Sequence, residues 1–329
     1  MASSTPSSRL SFRRRFTKAF RGFREKGADR LFLGLVGGAG ISVLLLALAL
    51  VGVLYYTATP SIRAFGLRFL LGSTWNPAAG VYGVLPFVFG TLITGGVALL
   101  LAVPLALGAS IFLTTQAPLW MRRPVGTAIE LLAAVPSVIY GFWGIFVLEP
   151  FMRYSVEPQL RIYLGWTGLF DGTPIGTDVL TASVILAVMV VPTITAVSRD
   201  TLSAVPAAQK EAALSIGATE WEVTRHATIP YARAGIVGGI ILGLGRAIGE
   251  TMAVTMTIGN HDAIPTSLFS QGQTIASLIA NELLSNTGPL QYSAILEAGL
   301  VLLGISLSVN AIARLLVWKV LRISRGIVE

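Results

Sequence analysis

Long apolar runs alternate with shorter polar segments along this chain. Six runs stand out, at about 31–56, 83–113, 125–149, 178–199, 231–259 and 291–319. Each can form a helix that crosses ~30 Å of hydrocarbon, for which ~20 residues suffice. Runs of this length fit helices rather than a barrel. The pattern predicts an all-α integral membrane protein with six transmembrane helices. The first run has neither charge nor proline and predicts a peripheral N-terminal helix beside a five-helix core. Pro86 and Pro104 give the second run places to bend, and Pro136-Ser137 in the third, where a proline frees a carbonyl and a serine offers a hydroxyl, is either a hinge or one of the prolines common in membrane helices.

The polar segments organise the rest. Residues 1–30 form a basic tail, 31–82 hold the first helix and an external loop, and 83–329 form the main body. The segments 57–82, 150–177 and 260–290 are long enough to fold over one mouth of the bundle, with turns expected at Gly172-Thr173-Pro174 and Thr287-Gly288-Pro289. On the other side, 200–230 is the longest connection. There Pro206 can open a short helix, Gly217 can close it, and Thr219 with Glu222 has the spacing of a capping box for a second helix that Pro230 should stop.

Composition agrees with a membrane protein: 53% hydrophobic and 12% charged residues, with a mean hydropathy of +0.74. A soluble domain carries about twice that charged fraction. There is no cysteine, and the two histidines, His226 and His261, are far apart, so disulfide, thiolate and histidine-metal chemistry are not expected. The first run is too long, and its arginine-rich flank too extended, for a cleaved secretory signal. The net charge of +8 does not read as a nucleic-acid patch, because nine of the 24 Lys and Arg precede the first run. With six helices and the N-terminus in the cytoplasm, 19 of these cations lie inside and only Arg63, Arg68, Arg153 and Arg161 lie outside. The orientation expected is multi-pass in the plasma membrane, with both termini cytoplasmic.

One cation is left within an apolar run. Arg246 sits roughly 20 Å along the fifth run at ~1.5 Å per residue, and Glu250 follows four positions later, which predicts a shared helix face. An Arg at that depth costs on the order of 3 kcal/mol on insertion scales, so a lipid-facing location is not expected. Spacing alone leaves two readings: a structural salt bridge, or an anion site in which the guanidinium supplies planar donors and Glu250 orients it or accepts a proton from the ligand. Gly243, Gly245 and Gly249 remove bulk around the pair. Glu130 is a further polar group within a run, and either a pathway element or a helix-packing or inter-subunit partner.

Two segments carry a family resemblance. Glu211-Ala212-Ala213, Gly217 and Pro230 match the EAA loop of ABC-importer permeases, with Ala227 and Ile229 at its apolar positions. Gly245-Arg246-Ala247-Ile248-Gly249-Glu250-Thr251-Met252-Ala253-Val254 with Gly259-Asn260, and Glu130-Leu131-Leu132-Ala133-Ala134-Val135-Pro136-Ser137-Val138-Ile139-Tyr140-Gly141, resemble the PstC-type permease of phosphate-specific importers. The resemblance covers most of 83–319. It implies a MetI-like fold, a second permease subunit of PstA type, a dimer of ATP-binding subunits and an external phosphate-binding protein. It also implies coupling to the ATPase through Glu211, Ala212, Ala213 and Gly217, and a phosphate pathway that includes Arg246 and Glu250, with Glu130 and Ser137 as further pathway candidates.

No catalytic residue, metal site or cofactor is expected in this chain, and no Gly-rich nucleotide loop with Lys-Ser/Thr occurs, so ATP hydrolysis belongs to a partner. Competing readings are the same machinery with another oxyanion or a phosphonate, an ion-gradient-driven transporter or channel, and a membrane subunit that uses Arg246–Glu250 only as a lock. Tyr55, Tyr56, Trp75, Trp166 and Trp318 are expected near membrane interfaces, Glu297 near water, and Asn260 and His261 at the outer mouth.

Overall fold

The computed structural model describes residues 7–285 and 288–325; Met1 to Pro6 of the basic tail and Thr287 of the expected turn lie outside them. The chain divides into two units, residues 1–56 and 57–329. The described residues of the first unit belong to one long helix, α1 (Ser7–Phe65).

The second unit begins with the last turns of α1. A short helix, α2 (Leu67–Leu71), and a two-residue antiparallel ladder of β1 (Trp75–Asn76) with β2 (Val81–Tyr82) follow. Helix α3 (Leu85–Ile111) has Pro86 in its first turn and carries Pro104 inside it. After α4 (Leu119–Ala134) the expected third span breaks. Pro136 has no N–H and disfavours helical backbone before it, so Val135 (ψ 129°) and Pro136 (ψ 139°) are extended. The helix resumes as α5 (Ser137–Trp143), bent 94° from α4, and runs on through α6 (Glu149–Phe151) and α7 (Glu157–Leu164) to Thr167. Much of the segment expected as an external loop is therefore helical. Helix α8 (Val179–Ser203) is capped by Asp178, whose Oδ1 accepts the Thr181 amide at 2.8 Å. The short α9 (Ala207–Ser215) and α10 (Glu220–Val223) follow.

Pro230 does not stop the second of these helices, contrary to expectation. A π turn at Thr224–Thr228 carries α10 into α11 (Ile229–Gly249), with Pro230 in its first turn. The same device recurs. Five-residue π turns at Phe112–Gln116, Gly144–Leu148, Met152–Val156 and Thr224–Thr228 each end just before an X-Pro pair. The wider turn takes its hydrogen bond from the residue preceding proline and relieves the clash of the ring with the helix behind it. The fifth span also breaks, at Glu250-Thr251, before α12 (Met252–Thr257). Helices α13 (Ile275–Glu282) and α14 (Pro289–Arg325) complete the chain. Among the described residues, five helices are long and apolar enough to cross a membrane, and the bent α4–α5 pair would make a sixth.

The centre of the second unit is the seam of α3, α8 and α11. Ala98, Ala102 and Ala106 of α3 pack with Leu186, Val190 and Ile194 of α8. Small residues let the backbones approach. On α11, Gly243 sits so close to α8 that a Cβ would lie 2.7 Å from Ile194 and 2.9 Å from Val190, while Gly239 meets Val197 and Gly235 meets Thr201. Gly245 and Gly249, expected to share this role, face open space.

Three further expectations change. Trp75 is no interface anchor: it is 6% exposed, donates Nε1 to Glu282 at 2.8 Å, and packs edge-on against Tyr82 and Phe87. Glu297 is not wet but buried. The 260–290 segment does not lie only over the surface. Ile275, Leu278 and Phe87 share a buried cluster, and Ile275 donates its amide to Thr91 Oγ1 at 3.0 Å.

Candidate functional site

The two broken helices meet. Helix α5 begins after the first break and α12 after the second, and glycines on α5 bring them together. A Cβ on Gly141 would lie 3.4 Å from Ala253 Cα, and one on Gly144 would lie 2.6 Å from Thr257 and 2.8 Å from Ile185. Irregular backbone within a span is tolerated only where protein or a water-filled cavity covers it. Such discontinuous helices are the usual setting of substrate sites in transporters.

Arg246 lies in the last turn of α11, just before this meeting point, and within electrostatic reach of the Tyr140 phenol on α5. Tyr140 is buried and its Oη donates to Leu132 O at 2.8 Å, across the first break. Glu250 follows four positions later, one turn further along. It is the residue at which α11 ends, with ψ 128°. Arg246 and Glu250 are both half-buried, and among the described residues neither takes part in an ion pair or a side-chain hydrogen bond. The guanidinium is thus partly dehydrated with no carboxylate on it, an arrangement that favours an anion supplied from outside the chain.

The other pathway candidates stand differently. Ser137 is the first residue of α5, half-buried, with no hydrogen bond from its hydroxyl among the described residues. Glu130 pairs within the chain: Arg199 Nη2 on α8 meets its Oε1 at 2.8 Å, and Arg199 also reaches Asp200 at 3.3 Å. The sequence reading missed Arg199 and Tyr140. Arg199 had been counted only among the inside charges, whereas Tyr140, four residues after Pro136, was a signal in plain view.

The 200–230 connection forms two short helices with a defined turn, as expected. Helix α9 ends where Gly217 takes φ +88°, a left-handed conformation that glycine adopts without strain. The Gly217 amide donates to Leu214 O and the Ala218 amide to Ala213 O, closing the C-terminus of the helix in a Schellman motif. Thr219 and Glu222 form the capping box reciprocally. Glu211, Ala212 and Gly217 are exposed and Ala213 is half-buried. Leu214, Ile216 and Trp221 place large apolar surface beside them, Ile216 at 86% exposure. These three were not singled out from sequence, although apolar residues between polar ones on short exposed helices mark a contact surface. A groove of about 200 Å³ separates this knob from Thr114 and Thr115.

The family described as the binding-protein-dependent transport system inner membrane component matches residues 102–322. A protein named phosphate transport system permease protein PstC from Mesorhizobium japonicum is 44% identical over 320 residues, 95% of this chain and 94% of its own. One of the same name from Pasteurella multocida is 48% identical over 284 residues, 85% and 88% of the two chains. In fold, the chain is similar to a solved structure of a bacterial ABC transporter involved in the import of the acidic polysaccharide alginate, with a TM-score of 0.53 and 18% identity over 84% of this chain and 95% of that one. The all-α, MetI-like permease fold expected from the sequence is therefore the fold observed, and the chain belongs to the family of inner-membrane components of binding-protein-dependent transport systems.

Proposed function

We propose that this chain is a permease subunit of an ATP-driven importer of inorganic phosphate. The observation that carries the reading is the half-buried Arg246, placed where two broken helices meet and without a carboxylate partner among the described residues although Glu250 is four residues away. A planar, permanently charged donor suits a tetrahedral oxyanion. The names of the two relatives point to the same cargo. Glu250 and Ser137 supply an acceptor and a hydroxyl along the passage. The lock reading gains no support, because Arg246 and Glu250 form no ion pair among the described residues.

The rest of the machine follows from what this chain lacks and displays. ATP hydrolysis falls to a dimer of ATP-binding subunits, which grips the α9–α10 knob through Glu211, Ala212, Ala213 and Gly217. A second permease of PstA type completes the passage, and an external phosphate-binding protein delivers the cargo. The cation distribution supports an orientation with both termini and the knob in the cytoplasm of a bacterium. Nucleotide-driven closure of the ATPase dimer moves the knob, and the passage switches the side to which it is open.

The test is ATP-dependent uptake of labelled phosphate by proteoliposomes that contain all the components. Arg246→Gln abolishes uptake while the complex still assembles; full uptake by this variant defeats the anion role. Uptake that persists without ATP would favour a gradient-driven transporter. Competition by sulfate or a phosphonate as strong as that by phosphate would move the cargo to another oxyanion.

A further inference from the structure

We propose that the cavity at the α9 end of the bundle is a second anion site, built to hold a tetrahedral phosphate-type oxyanion apart from Arg246. Its volume is about 400 Å³, within the range of ~300–1,000 Å³ of small-ligand pockets. It is lined by Arg122, Arg123, Arg199, Glu130, Thr127 and Ser203, among others. Three guanidinium groups thus face one carboxylate.

The cations are held differently, and the differences define the site. Arg199 is parked: Glu130 and Asp200 hold its donors, and Gly126 provides its seat, since a Cβ there would lie 2.5 Å from Arg199 Nη1. Arg122 is oriented by a bond from its Nε to Ala117 O at 2.7 Å, which leaves its terminal nitrogens to point elsewhere. Arg123 has neither ion pair nor hydrogen bond among the described residues, and the same holds for the hydroxyls of Thr127 and Ser203. The oriented Arg122 and the exposed Arg123, Thr127 and Ser203, whose donors are not taken up among the described residues, share one concavity and match the oxygens of a phosphate group, bare or esterified. Cations serving only as a topology signal need no such seat, orienting bond or hollow.

The position gives the site a role. Thr114 lines both this cavity and the groove beside α9 and α10, and Arg199 lies near the C-terminal end of α8, the helix that leads into α9. An anion here sits next to the surface assigned to the ATPase. The inference rests on the proposed function for its cytoplasmic placement and for inorganic phosphate as its first probe. Two sources share the chemistry: phosphate leaving the passage, and the headgroup of an anionic phospholipid at the inner leaflet.

The test uses the assembled permease–ATPase complex carrying Arg246→Gln, which silences the passage, in nanodiscs of phosphatidylcholine alone. Binding of labelled inorganic phosphate is measured with and without the further pair Arg123→Gln and Thr127→Val, side chains that make no bonds among the described residues; Arg122→Gln serves as an independent variant. In a second arm, complexes taken from native membranes are examined by native mass spectrometry for retained anionic phospholipid. Saturable phosphate binding that weakens at least about tenfold in the variants supports the site with free phosphate as its ligand. Retained phospholipid that the variants lose supports it with a lipid headgroup. Neither ligand bound, or equal binding with and without the substitutions, overturns it. Uptake by the wild-type complex is scored separately: uptake with unaltered binding removes this site and leaves the proposed function, whereas binding without uptake removes the proposed function and leaves the site.

Discussion

The phenol of Tyr140 donates to the carbonyl of Leu132 at 2.8 Å, from the second half of a broken helix back to the first. Pro136 removes an amide, and the 94° bend leaves carbonyls at the end of α4 short of partners. The Val135 amide, at 3.3 Å from the same oxygen, is the other group that meets this need. Tyr140 therefore ties the break together beside Arg246. Tyr140→Phe should cost about 1 kcal/mol. The thermal midpoint of the purified complex should fall, and an unchanged midpoint would remove the tie from this account.

Arg246 and Glu250 form no ion pair among the described residues, so they should behave as independent groups. A double-mutant cycle on stability with Arg246→Gln and Glu250→Gln should give a coupling energy below about 0.5 kcal/mol. Breaking a buried salt bridge from one side costs ~3–5 kcal/mol. A coupling of that size would support the lock reading.

Gly217 has open space where a Cβ would stand, so substitution there acts through the backbone rather than through a clash within the chain. A non-glycine residue at φ +88° costs roughly 1–2 kcal/mol, and a β-branched one is disfavoured further. Asparagine visits this conformation more readily. Gly217→Asn should retain most uptake, whereas Gly217→Val should hydrolyse ATP without matching transport. Normal transport by the valine variant, measured beside its ATPase rate, would sink the docking assignment.

Asp178 gives a pH dependence of known sign. Burial pushes its pKa up to about 8, against the Thr181 amide that bonds to it and with the help of the Glu157 charge. Asp178 Oδ2 and Glu157 Oε1 are buried with no donor among the described residues, as expected where a proton is shared. Unfolded, an Asp titrates near ~3.9. Between about pH 4 and 8 the native state therefore holds the extra proton, and stability falls as pH rises through that window. Asp178→Asn keeps an acceptor for the Thr181 amide and needs no proton. Its thermal midpoint should differ less between pH 5 and pH 8 than that of the wild type; an equal difference would place the proton elsewhere.

What could be read from the sequence was what local chemistry decides. Gly217 as a helix stop and Thr219 with Glu222 as a helix start need only their neighbours, and both are present. The apolar runs announced the helices but not their interruptions. Pro136 was visible as a candidate hinge, yet whether a proline kinks a helix, breaks it or is absorbed depends on what receives the freed carbonyls, and at Pro230 a π turn absorbs it. The break at Glu250 has no proline, so nothing local marks it. Arg246 stood out because charge within an apolar run is costly wherever it lies. The Glu130–Arg199 contact did not, since it joins positions 69 residues apart. Trp75 was misplaced because an aromatic near a span end suits an interface equally well as a corner of the core.

The π turn before Pro230 has a mechanical consequence. It joins α10 to α11, so the α10 half of the exposed knob and the half-buried Arg246 sit on one unbroken rod from Glu220 to Gly249. Arg246 is roughly 39 Å from Glu220 along that rod at ~1.5 Å per residue. A pivot of roughly 10° about the knob would sweep the guanidinium sideways by roughly 7 Å, more than the ~5.4 Å pitch of a helix. Amplification of this kind asks for only a small rotation at the knob and places the sideways movement on the glycine seam with α8.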